Sequence, residues 1–255
     1  MKRSLPLLVL LGCAAQSPHV YVASAHLTAE QWAQRAASEQ RQGHYDAFQQ
    51  ACEEWLADAP LDREAMLCAA QAANAIADIT DSDERRDQAL THSVALLDRL
   101  QLDSPTSAPA DARFDYLRSE ALGLRVRSHP SHALTALGEI HQHALAAYRL
   151  DKRLYSGAPI RLLGMLLVKA PPWPQGPGDP DEGLKLLDEA IKEFPDRAEA
   201  YAHKAEALLD QSRIKEAEFW LTQALKRRHD DARTAKVVND VADKLGRHQR
   251  VKSYQ

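Results

Sequence analysis
A chain of 255 residues with 10 glycines, 45% hydrophobic side chains and a formal net charge of −4 has room for a sizeable core and carries no basic block. A nucleic-acid-binding surface would need clustered Lys and Arg, so that class of partner is excluded. Ala, Leu, Glu, Gln and Arg dominate and no stretch alternates β-branched with polar residues, so helices are expected throughout and strands are not.

The chain begins with Lys2 and Arg3, runs apolar from Leu5 to Leu11 and then reaches Gly12-Cys13. This reads as a secretory signal, too short to span a bilayer. Leu10-Leu11-Gly12-Cys13 resembles the bacterial lipoprotein box, which implies a signal peptide over 1–12, lipidation of Cys13 and a linker over 13–27. More than one acyl chain would be needed for a stable anchor. By the same resemblance, Ala14 points to the outer membrane of a Gram-negative cell, with the protein facing the periplasm. The other reading is plain cleavage near Ala15 or Ala23-Ser24-Ala25, giving a soluble secreted or periplasmic protein.

From Thr28 the apolar residues recur at helical spacing. Trp32, Ala36, Cys52, Trp55 and Pro60 outline a first pair of helices, with Phe48 where a small residue is expected. Cys52 and Cys68 each lie eight residues from Pro60. An antiparallel hairpin turning there would bring them to similar height, and export favours a disulfide if their Cα atoms lie within about 7 Å. Two buried thiols packing as small apolar groups are the alternative. Ala77, Ala89 and Leu96 mark a looser second pair. Leu117, Ala121 and Leu124, then Ala133, Leu137 and Ile140, mark a third, with Ser128 to Ser131 supplying the break and the cap.

Residues 183–195 laid over 217–229 put Gly183, Leu187, Ala190 and Pro195 on Ala217, Leu221, Ala224 and His229, each displaced by 34. That is the tetratricopeptide period, two antiparallel helices per unit. Tyr201, Ala205 and Leu208 supply the large-small-large pattern of the preceding helix. The last apolar stripe, Val237, Val238, Val241 and Leu245, reads as a closing helix, since an open solenoid end would leave apolar surface wet. The expected fold is therefore all-α, a tetratricopeptide-like right-handed superhelix of antiparallel helix pairs with a C-terminal capping helix. It should occupy 28–246 and leave a polar tail at 247–255.

One unit departs from the period. From Gly164 to Gly183 is 19 residues, whereas Ala205 to Ala217 is 12, and the excess contains PPWPQGPG. Proline cannot continue a helix, so a loop is expected there, ending where Asp179 caps a new helix with Pro180 at its first position. Trp173 within this loop is expected to pack on the core, with a partner for its indole N–H, the alternative being that it stands proud as a contact.

The surrounding run, Leu150, Asp151, Gly157, Pro159, Arg161, Leu163, Gly164, Lys169, Ala170, Pro171, Trp173, Pro174, Gly178, Asp179, Leu187, Ala190 and Pro195, resembles tetratricopeptide-like lipoproteins of the TRAP transporter T-component (TatT) family. Leu167, where an aromatic is common, and Gln175-Gly176-Pro177 depart from that pattern. The resemblance implies a periplasm-facing helical scaffold that accompanies a solute-binding protein of a TRAP transporter.

Chemistry-bearing motifs are sparse. No GxSxG, HExxH or phosphate-binding loop occurs. His129, His132, His141 and His143 do not share one helix face or find a carboxylate at ligand spacing, so no metal or cofactor is expected, and no enzyme. In this repeat type the first helix of each unit lines the concave groove. Arg118, Arg125, Arg161, Lys169, Glu199 and Glu206 fall there, a charge set suited to a mixed or negative protein partner. The same side chains could equally be solvated or locally paired. The expected function is a non-enzymatic, lipid-anchored periplasmic scaffold for a protein partner, with a homo-oligomer compatible. The rivals are a small apolar-ligand-binding lipoprotein and a general envelope-assembly adaptor.

Overall fold
The computed structural model describes residues 27–103, 110–227 and 231–253. Among them are eleven α-helices: α1 (Ala29–Arg41), α2 (Tyr45–Asp58), α3 (Arg63–Ile79), α4 (Asp83–Asp103), α5 (Ala112–Ser128), α6 (Ala133–Asp151), α7 (Leu154–Lys169), α8 (Pro180–Glu193), α9 (Ala198–Asp210), α10 (Ile214–Leu225) and α11 (Ala232–Ser253). A short 3₁₀ turn, Pro130–His132, precedes α6. The signal, Cys13 and most of the linker lie outside the described residues. Among those described, no helix is long and apolar enough to cross a membrane.

The helix ends follow from local chemistry. Thr28 and Gln31 form a reciprocal capping box on α1, and Asp62, Asp111 and Asp179 cap α3, α5 and α8. Pro180 opens α8, where its missing N–H costs nothing. At the start of α6 the break is present, but no side chain caps the helix. The final helix runs to Ser253, so the segment expected to be a polar tail begins as a continuation of α11.

Packing is serial. Each helix lies against the next, α1 on α2, α3 on α4, α5 on α6, α7 on α8 and α9 on α10. The spacing pattern explains how: Tyr201, Ala205, Leu208, Ala217, Leu221 and Ala224 are all buried, as are Leu117, Ala121, Leu124, Leu137 and Ile140. Of the matched positions in these two units only Ala133 stays partly exposed. At the tightest crossing, a Cβ on Gly183 would lie 2.7 Å from the Gly164 carbonyl oxygen, so α7 and α8 meet through glycine on both sides. α3 is the most enclosed element. Ala65, Ala69, Ala70, Ala72, Ala73 and Ala77 are fully buried on it, and such small side chains let α2, α4 and α5 approach together.

The first helices of successive units also touch one another in order. α3 packs on α5, α5 on α7, α7 on α9 and α9 on α11, and α11 returns to α3. The accumulated turn of the superhelix therefore brings its last helix back to its second unit. The expected closing helix does cover the open end, packing Val238, Val241 and Leu245 on Tyr201, Ala202 and Ala205 of α9. It also seals the inner side.

Candidate functional site
The segment that breaks the period is built from its glycines and prolines. Tyr155, Ser156 and Gly157 take left-handed backbone conformations, with φ of 47°, 55° and 80°. Three such residues in a row, two of them with a Cβ, are unfavourable unless the surroundings hold them. Several contacts do. The Arg161 guanidinium donates to the Ser156 carbonyl at 2.6 Å. The Tyr155 hydroxyl donates to Gln71 Oε1 at 3.1 Å, and its ring meets Tyr116 edge-on. Gly157 lies under the Phe194 ring, where a Cβ would come within 2.5 Å.

The inserted loop folds back on itself. Gly178 N–H donates to the Pro171 carbonyl at 2.9 Å and Asp179 N–H to the Leu167 carbonyl at 2.9 Å. A Cβ on Gly178 would sit 2.2 Å from the Ala170 carbonyl oxygen. The Trp173-Pro174 peptide is cis. With the loop closed on its own backbone, no core surface is left for the indole, and Trp173 is 86% exposed. The expectation that it packs inward is corrected: it stands out from a rigid support.

The charges expected to line the groove divide into four groups. Arg118 faces the other way, into the seam between α4 and α6, bound to Asp98 and, through Nε, to Glu139 at 2.8 Å. Arg125 is half-buried and makes no side-chain ion pair among the described residues. Arg161 is buried at 9% exposure and serves the α7 turn; burial pulls its pKa down, with Glu199 opposing. Glu199 accepts from Arg197 at 2.7 Å. Lys169 and Glu206 do come together, at 3.0 Å, with Lys244 of α11 on the same carboxylate. Burial pushes the Glu206 carboxyl up, but neighbouring His203, Lys169 and Lys244 hold it well below the usual carboxylate range.

Sequence reasoning missed the polar group at the join of α3, α5 and α11. Arg233 of α11 donates through Nη2 to Glu120 at 2.7 Å and through Nε to Asp78 at 3.1 Å. Asp78 also accepts from Arg127 at 2.8 Å. Glu120 accepts from Tyr116 at 2.6 Å and from Asn74 at 3.0 Å, and Asn74 accepts from Ser93 at 2.7 Å. Burial would raise the Asp78 pKa, yet Arg233 and Arg127 bring it below the ordinary value. Asn74 and Asp78, one turn apart in an otherwise Ala- and Ile-rich helix, are the sequence signal for this group. The histidines fall into separate pairs, His143 with Asp115 at 2.6 Å and His129 with Asp87 at 2.9 Å. Cys52 and Cys68 are joined in a disulfide between α2 and α3, their Cα atoms 5.4 Å apart.

This architecture is that of a tetratricopeptide repeat superhelix. The tetratricopeptide repeat family model matches residues 176–239. The crystal structure of TTC0263, a thermophilic TPR protein in Thermus thermophilus, superposes with a TM-score of 0.61 at 18% sequence identity, covering 85% of this chain and 98% of that one. At that identity the likeness concerns the fold. No curated protein matches the sequence at a significant level. The class so defined is that of superhelices of stacked antiparallel helix pairs of the tetratricopeptide type.

Proposed function
We propose that the protein is a non-enzymatic scaffold, held by a lipid on Cys13 at the outer membrane and facing the periplasm, which binds a protein partner there. Its partner in this reading is a solute-binding protein of the TRAP type, and the scaffold assists ligand uptake. The observation that carries the contact is Trp173, 86% exposed on a loop whose backbone is already fixed. A stiff aromatic contact loses little conformational freedom on binding, and such side chains dominate interface energetics. Much of the run that resembles the TatT lipoproteins builds this feature: Gly157 and Arg161 set the start of α7, Gly164 lets α8 approach, and Gly178 and Asp179 close the loop.

A photo-crosslinker placed at position 173 in intact cells tests the reading. The expected adduct is a periplasmic solute-binding protein. An adduct with a cell-wall or assembly protein would favour the adaptor reading, and absence of any adduct would remove Trp173 as the contact. Cys13→Ala should release the protein from the membrane fraction; retention there would refute the anchor.

A further inference from the structure
The two ends of α11 are held by different forces. From its second turn onward, Val238, Val241 and Leu245 are buried against α9. Its first turns reach the early helices through polar groups: Arg233 to Asp78 and Glu120, and Asp231 to the Tyr45 hydroxyl at 3.3 Å. The Arg233 side chain keeps 27% of its surface in solvent. The seam between α11 and α3 is thus made by charge, with Glu120 buried and Arg233 reaching solvent, whereas the seam between α11 and α9 is mainly apolar with one ion pair, Lys244–Glu206.

The two acceptors at this seam do not depend on α11 for their placement. Arg127 holds Asp78, while Tyr116 and Asn74 hold Glu120, and all three lie on α3 or α5. If the first turns of α11 lift away, both carboxylates remain oriented and short of one donor each. Two carboxylates on neighbouring helices, met at once by Nε and Nη2 of one side chain, suit the planar fork of arginine and not the point charge of lysine. The arginine they hold sits in the first turns of a helix whose start is capped by Asp231, through Thr234 N–H at 3.0 Å.

We propose that Asp78 and Glu120 form a docking slot for an arginine in the first turn of a capped helix, filled at rest by Arg233, and that an arginine-bearing helix of a partner protein takes its place. The slot rests on the scaffold reading above and names a second surface for it. Exchange needs the turn that carries Arg233 to move while Val238, Val241 and Leu245 stay on α9. The Arg233 side chain keeps part of its surface in solvent, which is the side from which a competing guanidinium would approach.

The test uses the full chain and, as probe, a labelled synthetic peptide of residues 231–245. In Arg233→Ala, amide exchange over 232–237 should rise by about tenfold or more while that at 241–245 stays unchanged, a difference of about 1.4 kcal/mol confined to one end of the helix. The peptide should bind Arg233→Ala about tenfold more tightly than the wild type. A peptide with alanine in place of its arginine should not bind, and adding Glu120→Gln to the variant should abolish binding. Arg233→Lys, which keeps the charge but not the fork, provides a second fold-preserving variant and should admit the peptide to an intermediate extent. Uniform protection along α11, or peptide binding indifferent to its arginine, would overturn the slot. So would assembly of Arg233→Ala into dimers by exchange of α11, which would make a second copy the occupant. Crosslinking from position 173 is independent of all these outcomes, so the slot and the scaffold reading fail separately.

Discussion

Gly157→Ala is the sharpest test of how the period-breaking unit is built. At φ 80° an alanine would take a left-handed conformation, which costs about 1–2 kcal/mol. The new Cβ would also lie 2.5 and 2.6 Å from two carbons of the Phe194 ring. Ordinary carbon contacts are about 3.5–4.0 Å, so the ring must move by roughly 1 Å. Overpacking of that kind typically costs about 1–3 kcal/mol. The two effects together give about 2–5 kcal/mol, or a fall in Tm of about 10 °C for a chain of this size. Calorimetry on Gly157→Ala, Phe194→Ala and the double variant separates them. Without the ring, the glycine substitution should cost only its backbone part, leaving a coupling of about 1–3 kcal/mol. Coupling below about 0.5 kcal/mol, the level expected of independent sites, would refute the close approach. An unchanged Tm in the single variant would refute the left-handed turn itself.

Three further outcomes are expected. Replacing both Cys52 and Cys68 by alanine opens a loop with a sequence separation of 16. On the chain-entropy model this should lower unfolding stability by about 3 kcal/mol, read from the denaturant midpoint, and a loss under about 1 kcal/mol would show that the bond constrains little. Acid should also destabilise the protein. The carboxyls of Asp78 and Glu206 are held below their ordinary values in the folded state, so their contribution is complete above about pH 5 and declines as pH falls through the carboxylate range. Glu206→Gln cannot titrate and should flatten that acid limb in a Tm-versus-pH series; an unaltered limb would assign it to other groups. Trp173→Ala should change stability by no more than about 0.5 kcal/mol, as for an exposed residue without packing, and a large loss of Tm would mean that the indole supports the loop.

The helix pairs can be read from the sequence because burial imposes them: Ala121, Ala205 and Ala224 must be small where helices cross, and Leu117, Leu208 and Leu221 must fill the gaps between. The restart at Asp179-Pro180 is legible for a similar local reason. The left-handed turn is not, since nothing in Tyr155 or Ser156 announces a positive φ; it exists because Arg161, Gln71 and Phe194 surround it in space. Trp173 misleads because apolar size suggests burial, whereas the prolines and glycines beside it close the loop without room for the ring. The register that holds for the core positions puts Arg118 on the groove, but its side chain is long enough to reach Asp98 and Glu139 in the outer seam.

Ring closure lies beyond any local pattern. Arg233 meets its acceptors across 113 and 155 residues, a pairing that arises only after the small rotation between successive units has accumulated. That closure changes what the fold can offer a partner. An open array of this type presents its concave face, yet here α11 lies over it, and Lys244 and Arg233 already answer Glu206 and Glu120. Contacts must then form on outward features such as the Trp173 loop, or by competition at the seam where Arg233 meets Asp78 and Glu120. An apolar seam would resist such competition, because its opening exposes Val238, Val241 and Leu245 to water at about 1.5–3 kcal/mol each. The polar seam exposes groups that water can solvate, and its acceptors remain satisfied in part by Arg127, Tyr116 and Asn74. The Arg233 seam is therefore the place where one guanidinium meets two carboxylates that α3 and α5 already hold in position.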